Sequence, residues 1–345
     1  MYQPSLNPES FLTKRLVSEG VFRKAPLRVI DGGSRGGSAG QWELYGDQLE
    51  LVSFEADEKE CRRLNEANAA SGNGRQKHYP VALGRRKGQA VLNVARFPDS
   101  STLLKNNDDL LHRFGMARFL EHTGSVSVDL TDVSSFFKEN GMKYVDFMKL
   151  DVEGVELEVL EGAEELVADS LLGLTVEVWF HKEHVDRPLF SDIDAYLRRF
   201  GFVLFDLREL SRWKRKTQSG DGFDSCTGSG QLMFANALYL RDLPAMIHQE
   251  GWSAGEHSRL RALKLASLAE LFCYTDFAIE VLQSAQKAGL LRAPEAATLV
   301  QLLEKGGVPA PSSGKQWIRR GVRGMIPPPT RRWMMRLIQG LVSEG

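Results

Sequence analysis

The sequence predicts a doubly wound α/β domain with a mostly parallel sheet, followed by a helical appendix. Short β-branched runs alternate with helical segments from Leu27 to Leu240, which is typical of a parallel sheet covered on both faces. The first strand ends in an acid and a glycine-rich turn, as the strands of nucleotide-binding sheets do. After Pro244 the apolar residues recur only with helical spacing. These three observations define the expected fold class.

Hydrophobic periodicity places the individual elements in chain order. Residues 1–26 form a leading segment with one short helix, at residues 9–19. The strands expected in the main sheet are Leu27–Asp31, Leu49–Glu55, His78–Leu83, Phe147–Asp151, Leu174–Phe180, Phe202–Asp206 and, last, Gln231–Leu240. An extra strand is expected at Gln89–Ala95. The helices between them are Glu58–Ala70, Val133–Glu139, Val155–Val167 and Ile193–Phe200.

Two irregular segments are candidate lids over the ligand crevice. The first, residues 96–124, follows the third strand and has no clear periodicity. The second, residues 208–230, begins with a basic stretch and continues into a Gly/Ser-rich run. Long loops at the carboxyl end of a sheet often determine specificity. For the second segment, a solvated charged loop is the alternative interpretation.

The C-terminal part divides into a helical appendix, residues 244–306, and a basic tail, residues 307–345. Three amphipathic helices are expected in the appendix, at Glu256–Phe272, Asp276–Gly289 and Pro294–Lys305. Residues 315–345 carry seven Lys or Arg against one acid, with apolar residues interleaved. That mixture is typical of peripheral contact with an anionic membrane. The alternative is a tail that packs on the body of the protein or is poorly ordered.

Composition narrows the class of protein and its location. A net charge of −1 gives no indication of a nucleic-acid partner. Three widely separated cysteines without C-x-x-C spacing argue against a disulfide framework or a zinc site, and fit a reducing cytoplasm. The sequence shows neither a signal peptide at its start nor an apolar run long enough to span a membrane. We therefore expect a cytoplasmic protein. The sequence does not indicate its oligomeric state.

The turn Asp31-Gly32-Gly33-Ser34-Arg35-Gly36-Gly37 predicts an adenosine-bearing cofactor. It lacks the G-x-G-x-x-G spacing of dinucleotide sites and the Gly-Lys-Ser/Thr of a P-loop, so a nicotinamide-dependent oxidoreductase is disfavoured. The spacing suits a ligand without phosphates, such as S-adenosylmethionine (SAM). Glu55 ends the second strand, where a carboxylate can accept both hydrogen bonds of a ribose diol. A tight turn without a ligand is the alternative.

Three ionisable residues mark the carboxyl end of the fourth strand. Lys149, Asp151 and Glu153 alternate with a period of two, which in a strand places all three on one face. In an open α/β sheet this end of the strands borders the ligand crevice. The spacing therefore predicts that they face the cofactor and the substrate. The alternative is that the lysine and the acids merely pair with each other at a strand end.

These segments together resemble the FkbM-type SAM-dependent methyltransferases. The family's D-x-G-A-N-x-G element is similar to residues 31–37, and its K-I-D-V-E-G-x-E-x-x-V-L-x-G element matches residues 149–162 almost throughout. Shorter elements match Phe54-Glu55-Ala56, Ala82-Leu83 through Gly88, Ser100-Ser101-Thr102-Leu103 and Glu177-Val178. Three positions depart from the family pattern. Arg35 stands where Asn is usual, Ala56 replaces Pro, and the L-D-D-L element has become Leu130-Thr131-Asp132-Val133.

The resemblance implies a Rossmann-like methyltransferase sheet with an antiparallel last strand, and SAM as the cofactor. Gly33 and Gly37 would allow close backbone approach, Ser34 would hydrogen bond the amino-acid end, and Glu55 would take the ribose hydroxyls. Arg35 would alter how the cofactor carboxylate is held or point into the substrate cleft. The cofactor-binding residues expected are Asp31, Gly33, Ser34, Gly37, Glu55, Ala82 and Asp151.

The catalytic residues expected are Lys149, Asp151, Glu153 and His181. An alcohol acceptor needs its proton removed, and Asp151, Glu153 and His181 all remain candidate bases. His181 lies in the run Phe180-His181-Lys182-Glu183-His184, where an exposed loop histidine is the alternative. Asp151 and Glu153 could together hold a divalent cation, but no further ligands are evident and no metal site is predicted.

The predicted function is O-methylation of a hydroxyl on a small-molecule, glycan or glycolipid acceptor. The sugar acceptor rests on analogy with relatives alone. A catalytically inactive methyltransferase-like module, acting through its appendix and tail, is the alternative. The intact segment from Lys149 to Gly154 argues against that alternative.

Overall fold

A computed structural model describes residues 6–7, 9–37, 40–70, 72, 75–217, 230–247 and 255–306. The predicted membrane-contacting tail therefore lies outside the described residues, as does most of the Gly/Ser-rich half of the second candidate lid. The strands in the described part are β1 (Leu27–Gly32), β2 (Leu49–Phe54), β3 (Gln76–Tyr79), β4 (Ala82–Leu83), β5 (Gly88–Ala95), β6 (His122–Thr131), β7 (Phe147–Leu150), β8 (Gly173–Trp179), β9 (Phe202–Trp213) and β10 (Gln231–Arg241).

Seven strands form the main sheet in the order β3-β2-β1-β7-β8-β10-β9. Strand β10 is antiparallel to both β8 and β9, whereas the other neighbouring strands are parallel. The chain order reverses between β1 and β7, and crevices at such switch points bind ligands in doubly wound sheets. The predicted fold class, including the antiparallel last strand, is confirmed.

The sequence prediction was wrong about the segment after β3. The single strand expected at His78–Leu83 divides at Pro80, which has no N–H to continue the ladder, so β3 and β4 join different sheets. The order of the second sheet is β4-β6-β5. Strand β6 occupies part of the first candidate lid. Its residues 123–127 are all exposed, so it lacks the buried alternation by which a strand is recognised.

The helices predicted at Glu58–Ala70 and Val133–Glu139 are found with these bounds, whereas other helices differ from prediction at one or both ends. Residues expected to form one helix at Val155–Val167 form two, which meet at Ala163. Residues 208–213 extend β9 and are not part of a loop. The helices are α1 (Phe11–Ser18), α2 (Glu58–Ala70), α3 (Asp108–Arg113), α4 (Val133–Glu139), α5 (Glu156–Gly162), α6 (Glu164–Asp169), α7 (Phe190–Arg198), α8 (Leu243–Met246), α9 (Glu256–Leu271), α10 (Thr275–Lys287) and α11 (Ala293–Gly306), with 3₁₀ turns at Gly40–Gln48 and Pro98–Ser100.

One face of the main sheet packs against the C-terminal helices. Val29, Phe147 and Leu238 of the sheet share an apolar cluster with α9, α10 and α11. The ammonium of Lys264 in α9 lies 2.6 Å from the carboxylate of Asp146, which immediately precedes β7, and both side chains are buried. The appendix is therefore built into the core. The chain up to Gly306 forms one compact unit.

The opposite face of the sheet packs against α4, α5, α6 and α7 through a second apolar cluster. At the carboxyl ends of the strands, polar side chains replace the apolar residues of both clusters. None of the described helices combines the length and apolarity that a membrane span requires. Most of the site residues predicted from the sequence lie at this polar end of the sheet, near the switch point.

Candidate active site

Lys149 links the carboxyl ends of β1 and β7. Asp31 stands opposite it in the register of the two strands. The Lys149 Nζ lies 3.5 Å from Asp31 Oδ1 and 3.4 Å from Asp151 Oδ2, and it donates a 3.0 Å hydrogen bond to the carbonyl of Gly33. Burial alone would lower the pKa of Lys149, but the carboxylates of Asp151 and Asp31 outweigh it and raise that pKa above its usual range. The ammonium therefore stays charged and holds the two acids together.

Gly33 lets the turn after β1 touch the segment after β7. Its φ is +77°, and a Cβ built there would lie 1.8 Å from the carbonyl oxygen of Asp151. The N–H groups of Gly33 and Ser34 both donate to the carbonyl of Phe54, at 3.2 and 3.0 Å, which ties the turn to β2. The close approach at Gly33 is therefore between two backbone segments. A direct role of Gly33 toward the cofactor stays a prediction.

Gly33→Ala should destabilise the fold and disrupt the site together. A left-handed alanine costs about 1–2 kcal/mol, and displacement of the Asp151 backbone adds to that cost. We expect a loss of more than about 2 kcal/mol in the free energy of unfolding by urea denaturation. Gly36→Ala is the matched control, because Gly36 has φ +79° but open space where its Cβ would lie. Equal losses in the two variants would show that contact with Asp151 is unimportant.

Glu55 lies at the end of β2 with its carboxylate almost fully buried. Oε1 accepts from the backbone of Asp57 at 2.8 Å and lies 3.7 Å from Arg35, whereas no described residue donates to Oε2. Burial raises the pKa of Glu55, while the Asp57 N–H and the Arg35 charge act in the opposite direction. One carboxylate oxygen is thus fixed by the protein, and the other is available to a ligand.

Arg35, which stands where the family usually has Asn, forms ion pairs with three carboxylates. Its guanidinium lies 3.3 Å from Asp57 and 3.1 Å from Asp99, in addition to its contact with Glu55. It therefore belongs to the Glu55 side of the switch point. Asp99 lies in the first candidate lid, so Arg35 also ties that segment to the turn.

The space beside the glycine-rich turn fits a cofactor that approaches the backbone. Within the described part of the chain, a Cβ at Gly36 would meet no atom within 4 Å, and one at Gly37 would meet only Leu64, at 3.8 Å. Both glycines have positive φ, as the turn requires. Together with the available oxygen of Glu55, this opening suits an adenosine-bearing ligand whose ribose lies over the end of β2.

Two of the predicted cofactor residues, Ser34 and Ala82, are buried against other parts of the protein. Ser34 is buried, and its hydroxyl lies 2.8 Å from Nδ1 of His78. Ala82 is buried in β4 and pairs with Leu130 of β6. Their contacts in the structure are with other parts of the protein, and their roles toward a cofactor stay predictions.

Two glutamates beside Asp151 form an acidic wall, which consists of the buried Glu177 and the half-buried Glu153. Burial raises the pKa of Glu177 to about 7, with a further rise from Asp151 and a partial offset from Arg187. Burial, and then the charges of Glu177 and Asp151, likewise raise the pKa of Glu153. The Arg187 Nη2 donates to Glu177 Oε2 at 2.7 Å. Among the described residues, no set of three or more His, Cys, Asp or Glu side chains is arranged to hold a metal ion.

His181 follows β8 but does not join the Lys149 group. Its Nε2 lies 2.6 Å from the amide nitrogen of Gln231 in β10. Burial, with the charges of Arg215 and Arg113, lowers the pKa of His181. A neutral imidazole can accept a proton, but this one is bound to a strand on the far side of β8.

Four side chains near the site were not predicted from the sequence: Glu177, Arg187, Glu209 and Asn236. Glu177 had a weak signal, because it lies in the Glu-Val element of the family pattern. Arg187, Glu209 and Asn236 had no signal, because they follow no motif and their positions depend on sheet register. Asn236 stands opposite Glu177, and its amide donates to Glu209 at 2.7 Å.

The fold and the site define a class of protein. A seven-stranded sheet with one reversed strand, an acid at the end of β2 and a lysine with two acids at the ends of β1 and β7 are the features of a SAM-dependent methyltransferase. Residues 41–204 match the model of the Methyltransferase FkbM domain, which confirms the resemblance to the FkbM-type methyltransferases over this part of the chain. That family is SAM-dependent, and SAM is the cofactor of this domain. The match includes Glu55, Lys149 and Asp151 but not the turn at residues 31–37.

Two fungal proteins are similar in sequence over half of the chain. "Methyltransferase 1" of Beauveria bassiana (strain ARSEF 2860) is 27% identical over 186 residues, which cover 49% of this chain and 72% of the relative. "Methyltransferase sdnD" of Sordaria araneosa is 26% identical over 208 residues, which cover 54% of this chain and 76% of the relative. Both names support methyl transfer as the activity.

Solved methyltransferase structures are distant from this chain. Magnesium protoporphyrin IX methyltransferase of Synechocystis PCC 6803 with bound SAM has a TM-score of 0.31 at 12% identity, covering 68% of this chain and 79% of that one. The N-terminal domain of EvdMO1 in the presence of SAH and D-fucose has a TM-score of 0.32 at 10% identity, covering 68% and 83%. Similarity this low bears on neither the site residues nor the substrate of this chain.

Proposed function

We propose that this methyltransferase methylates a hydroxyl group on a small sugar-like acceptor, free or carried by a glycan or glycolipid. The observation that supports it best is the Asp151 carboxylate, held by Lys149 at the end of β7 and partly open to the crevice. When bound, SAM supplies an electrophilic methyl group on a sulfonium. A hydroxyl attacks such a group readily only when a nearby base takes its proton, which contributes about 10²–10⁴-fold in rate.

Different residues along the sheet would bind the cofactor, position the base and leave room for the acceptor. The available oxygen of Glu55 would accept from the ribose hydroxyls, and the open turn at Gly36 and Gly37 would take the adjoining part of the cofactor. Asp31 and Lys149 fix the position of Asp151. The crevice over β7 and β8 is left for the acceptor, and holding both partners there supplies rate by proximity.

Asp151 is the base that the geometry favours among the three candidates. Burial raises the pKa of Glu153 and so opposes the charged form that a base uses. The Nε2 of His181 is engaged by Gln231. Among the described residues, the side chain of Asp151 pairs with Lys149 alone, and it is partly exposed. We therefore assign the acceptor proton to a carboxylate oxygen of Asp151.

Calorimetric titration of the purified protein with SAM tests the cofactor, with NAD as the control. Micromolar binding of SAM and none of NAD is the expected result. Incubation with SAM and methyl glycosides, followed by measurement of S-adenosylhomocysteine, then tests the acceptor class. Binding of SAM without transfer to any glycoside would separate the methyltransferase from its proposed substrate.

Glu55→Ala should weaken SAM binding by an order of magnitude or more. The variant loses both ribose hydrogen bonds to a charged acceptor, each worth about 1.5–3 kcal/mol before water replaces the carboxylate. Titration calorimetry measures the change, and Glu66→Ala on the exposed side of α2 is the control. Unchanged affinity in Glu55→Ala would remove Glu55 from the ribose site.

Two further proposals concern the location of the enzyme in the cell and its contact with a membrane. The cysteine usage supports a cytoplasmic location. The basic and apolar residues of 315–345 support peripheral contact with an anionic membrane. Liposome co-sedimentation of the full chain against a chain ending at residue 314 tests the second, and equal sedimentation would contradict it.

A further inference from the structure

One row of polar side chains crosses the carboxyl end of the sheet, and its four members are Asp151, Glu177, Asn236 and Glu209. Asp151 follows β7, and Lys149, on the same strand, pairs in register with Thr175 of β8. Glu177 lies two residues beyond Thr175 and therefore on the same face. Asn236 of β10 is the register partner of Glu177, and its amide reaches Glu209 of β9. The row thus leads from the proposed base into the half of the crevice away from Glu55.

A β-bulge places Glu209 in this row. Arg208 pairs with Asn236, whereas Ser211 pairs with Phe234, so two residues of β9 stand opposite one residue of β10. Glu209, with φ +51°, is the residue at the bulge in the left-handed region. Bulges turn a side chain out of the regular alternation, and they recur beside functional sites. The backbone therefore directs a carboxylate toward Asn236 at a cost in local strain.

Two oxygens of the pair are left to receive a ligand. Within the part of the chain that the structure describes, neither Glu209 Oε1 nor Asn236 Oδ1 has a hydrogen-bond partner, and neither is a buried unpartnered atom. Both oxygens therefore remain accessible to a ligand. Glu177 differs, because the Trp179 Nε1 at 2.6 Å and Arg187 both donate to its Oε2.

The charges of the row indicate what kind of acceptor it fits. Asp151, Glu177 and Glu209 are all carboxylates, and a phosphate or carboxylate brought among them would be repelled. Burial raises the pKa of Glu209, Asp151 raises it further, and the hydrogen bond from Asn236 acts in the opposite direction. The charges of Lys149 and Arg208 also act against the rise in the pKa of Glu209, but the oxygens left on Glu209 and Asn236 are hydrogen-bond acceptors, and they suit O–H donors that carry no charge.

We propose that Glu209 and Asn236 bind neighbouring hydroxyls of an uncharged polyhydroxylated acceptor, and so orient a further hydroxyl toward Asp151. This inference rests on the proposed function and adds the residues that select the acceptor. Glu209 is then a specificity-determining residue whose strained backbone is kept because its carboxylate binds the substrate.

Substitution by glycine separates the binding role of Glu209 from its effect on stability. Glu209→Gly removes the carboxylate and also relieves the left-handed strain. Cys273→Gly is the matched control, because Cys273 has φ +70° in the turn between α9 and α10, away from the crevice. Both variants should melt at or above the temperature of the unmodified protein. Glu209→Gln, which can still accept from Asn236, is the second variant and guards against a general loss of structure.

Binding is measured by calorimetry in the presence of S-adenosylhomocysteine, with methyl glycosides of glucose, galactose, mannose and fucose as probes. At least one neutral glycoside should bind the unmodified protein and Cys273→Gly equally. Glu209→Gly should bind it at least about tenfold more weakly, with affinity for SAM unchanged, because two hydrogen-bonded groups become one. Glucuronate should bind more weakly than the corresponding glucoside.

Three outcomes would overturn the inference. The first is a protein that binds SAM but none of the glycosides, which leaves the methyltransferase function intact. The second is equal glycoside binding by Glu209→Gly and Cys273→Gly. The third is tighter binding of glucuronate than of the neutral glucoside. Failure to bind SAM at all would instead contradict the proposed function itself.

Discussion

Asp151→Asn should lower the rate of methyl transfer by about 10²–10⁴-fold at saturating SAM, the range that general-base assistance supplies. Asparagine keeps the size of the side chain and can still accept a hydrogen bond from Lys149, but it cannot take the proton of the acceptor hydroxyl. The site around it should stay assembled, because Asp31 and the Gly33 carbonyl also hold the Lys149 ammonium.

The measurement is formation of S-adenosylhomocysteine with a neutral methyl glycoside, with SAM affinity determined separately by calorimetry. Working at saturating SAM removes any effect of the substitution on cofactor binding from the rate. His181→Gln is the control, and we expect a change of no more than a few-fold, because Gln231 already engages its Nε2. A large loss in His181→Gln with a normal rate in Asp151→Asn would reverse the assignment of the base.

Arg187→Leu should cost about 3–5 kcal/mol of the free energy of unfolding, as the loss of one partner of a buried ion pair does. Arg187 is almost fully buried and lies 2.7 Å from Glu177 and 3.6 Å from Glu156, with Glu183 also in contact. Without the guanidinium these carboxylates remain buried with no cation beside them. Because Glu177 borders the active site, the same change should disturb the acceptor side of the crevice.

The stability loss in Arg187→Leu should grow as pH rises. The folded-state pKa of Glu177 already lies above its ordinary value, so the folded protein binds this proton more tightly than the unfolded chain. Stability is then present at low pH and is lost as pH rises through the folded-state pKa. Arg187 opposes this effect by lowering the pKa of Glu177, and its removal strengthens it.

Urea denaturation at about pH 5 and about pH 8 measures this dependence, with a larger loss expected at the higher pH. Arg198→Leu is the matched control, because Arg198 is exposed and, among the described side chains, forms an ion pair only with Asp194; such an exposed pair contributes little to stability. Arg187→Lys should recover part of the loss, since it restores the charge without the planar guanidinium. Equal losses in Arg187→Leu and Arg198→Leu would show that the buried acids do not need this cation.

Much of the fold and part of the site could be predicted from the sequence because their signals are local. The strands β1, β2, β7 and β8 are largely buried apolar runs, and each ends within one residue of the predicted end. Asp31 and Lys149 belong to such strand ends. Their approach follows from strand adjacency alone, since parallel strands present their carboxyl ends at the same edge.

The strand predictions were wrong for segments whose pairing does not follow from the local hydrophobic pattern. The exposed strand β6 lacks a buried face, and Pro80 divides one apolar run between two sheets. The sequence also could not show that the close neighbour of Gly33 is the backbone of Asp151. That contact joins two segments more than a hundred residues apart.

By itself, the sequence determined the fold class and the resemblance to the FkbM-type family, because these depend on periodicity and on motifs within short segments. It also predicted the edge of the sheet at which we propose that the cofactor and the base lie. Only the tertiary structure decided that Arg35 holds Glu55, that Arg187 neutralises the acidic wall, and that Glu209 and Asn236 meet beside Asp151. The physical reason is register. A bulge in β9 and the reversed direction of β10 determine which side chains become neighbours, and both are set by packing across the whole sheet.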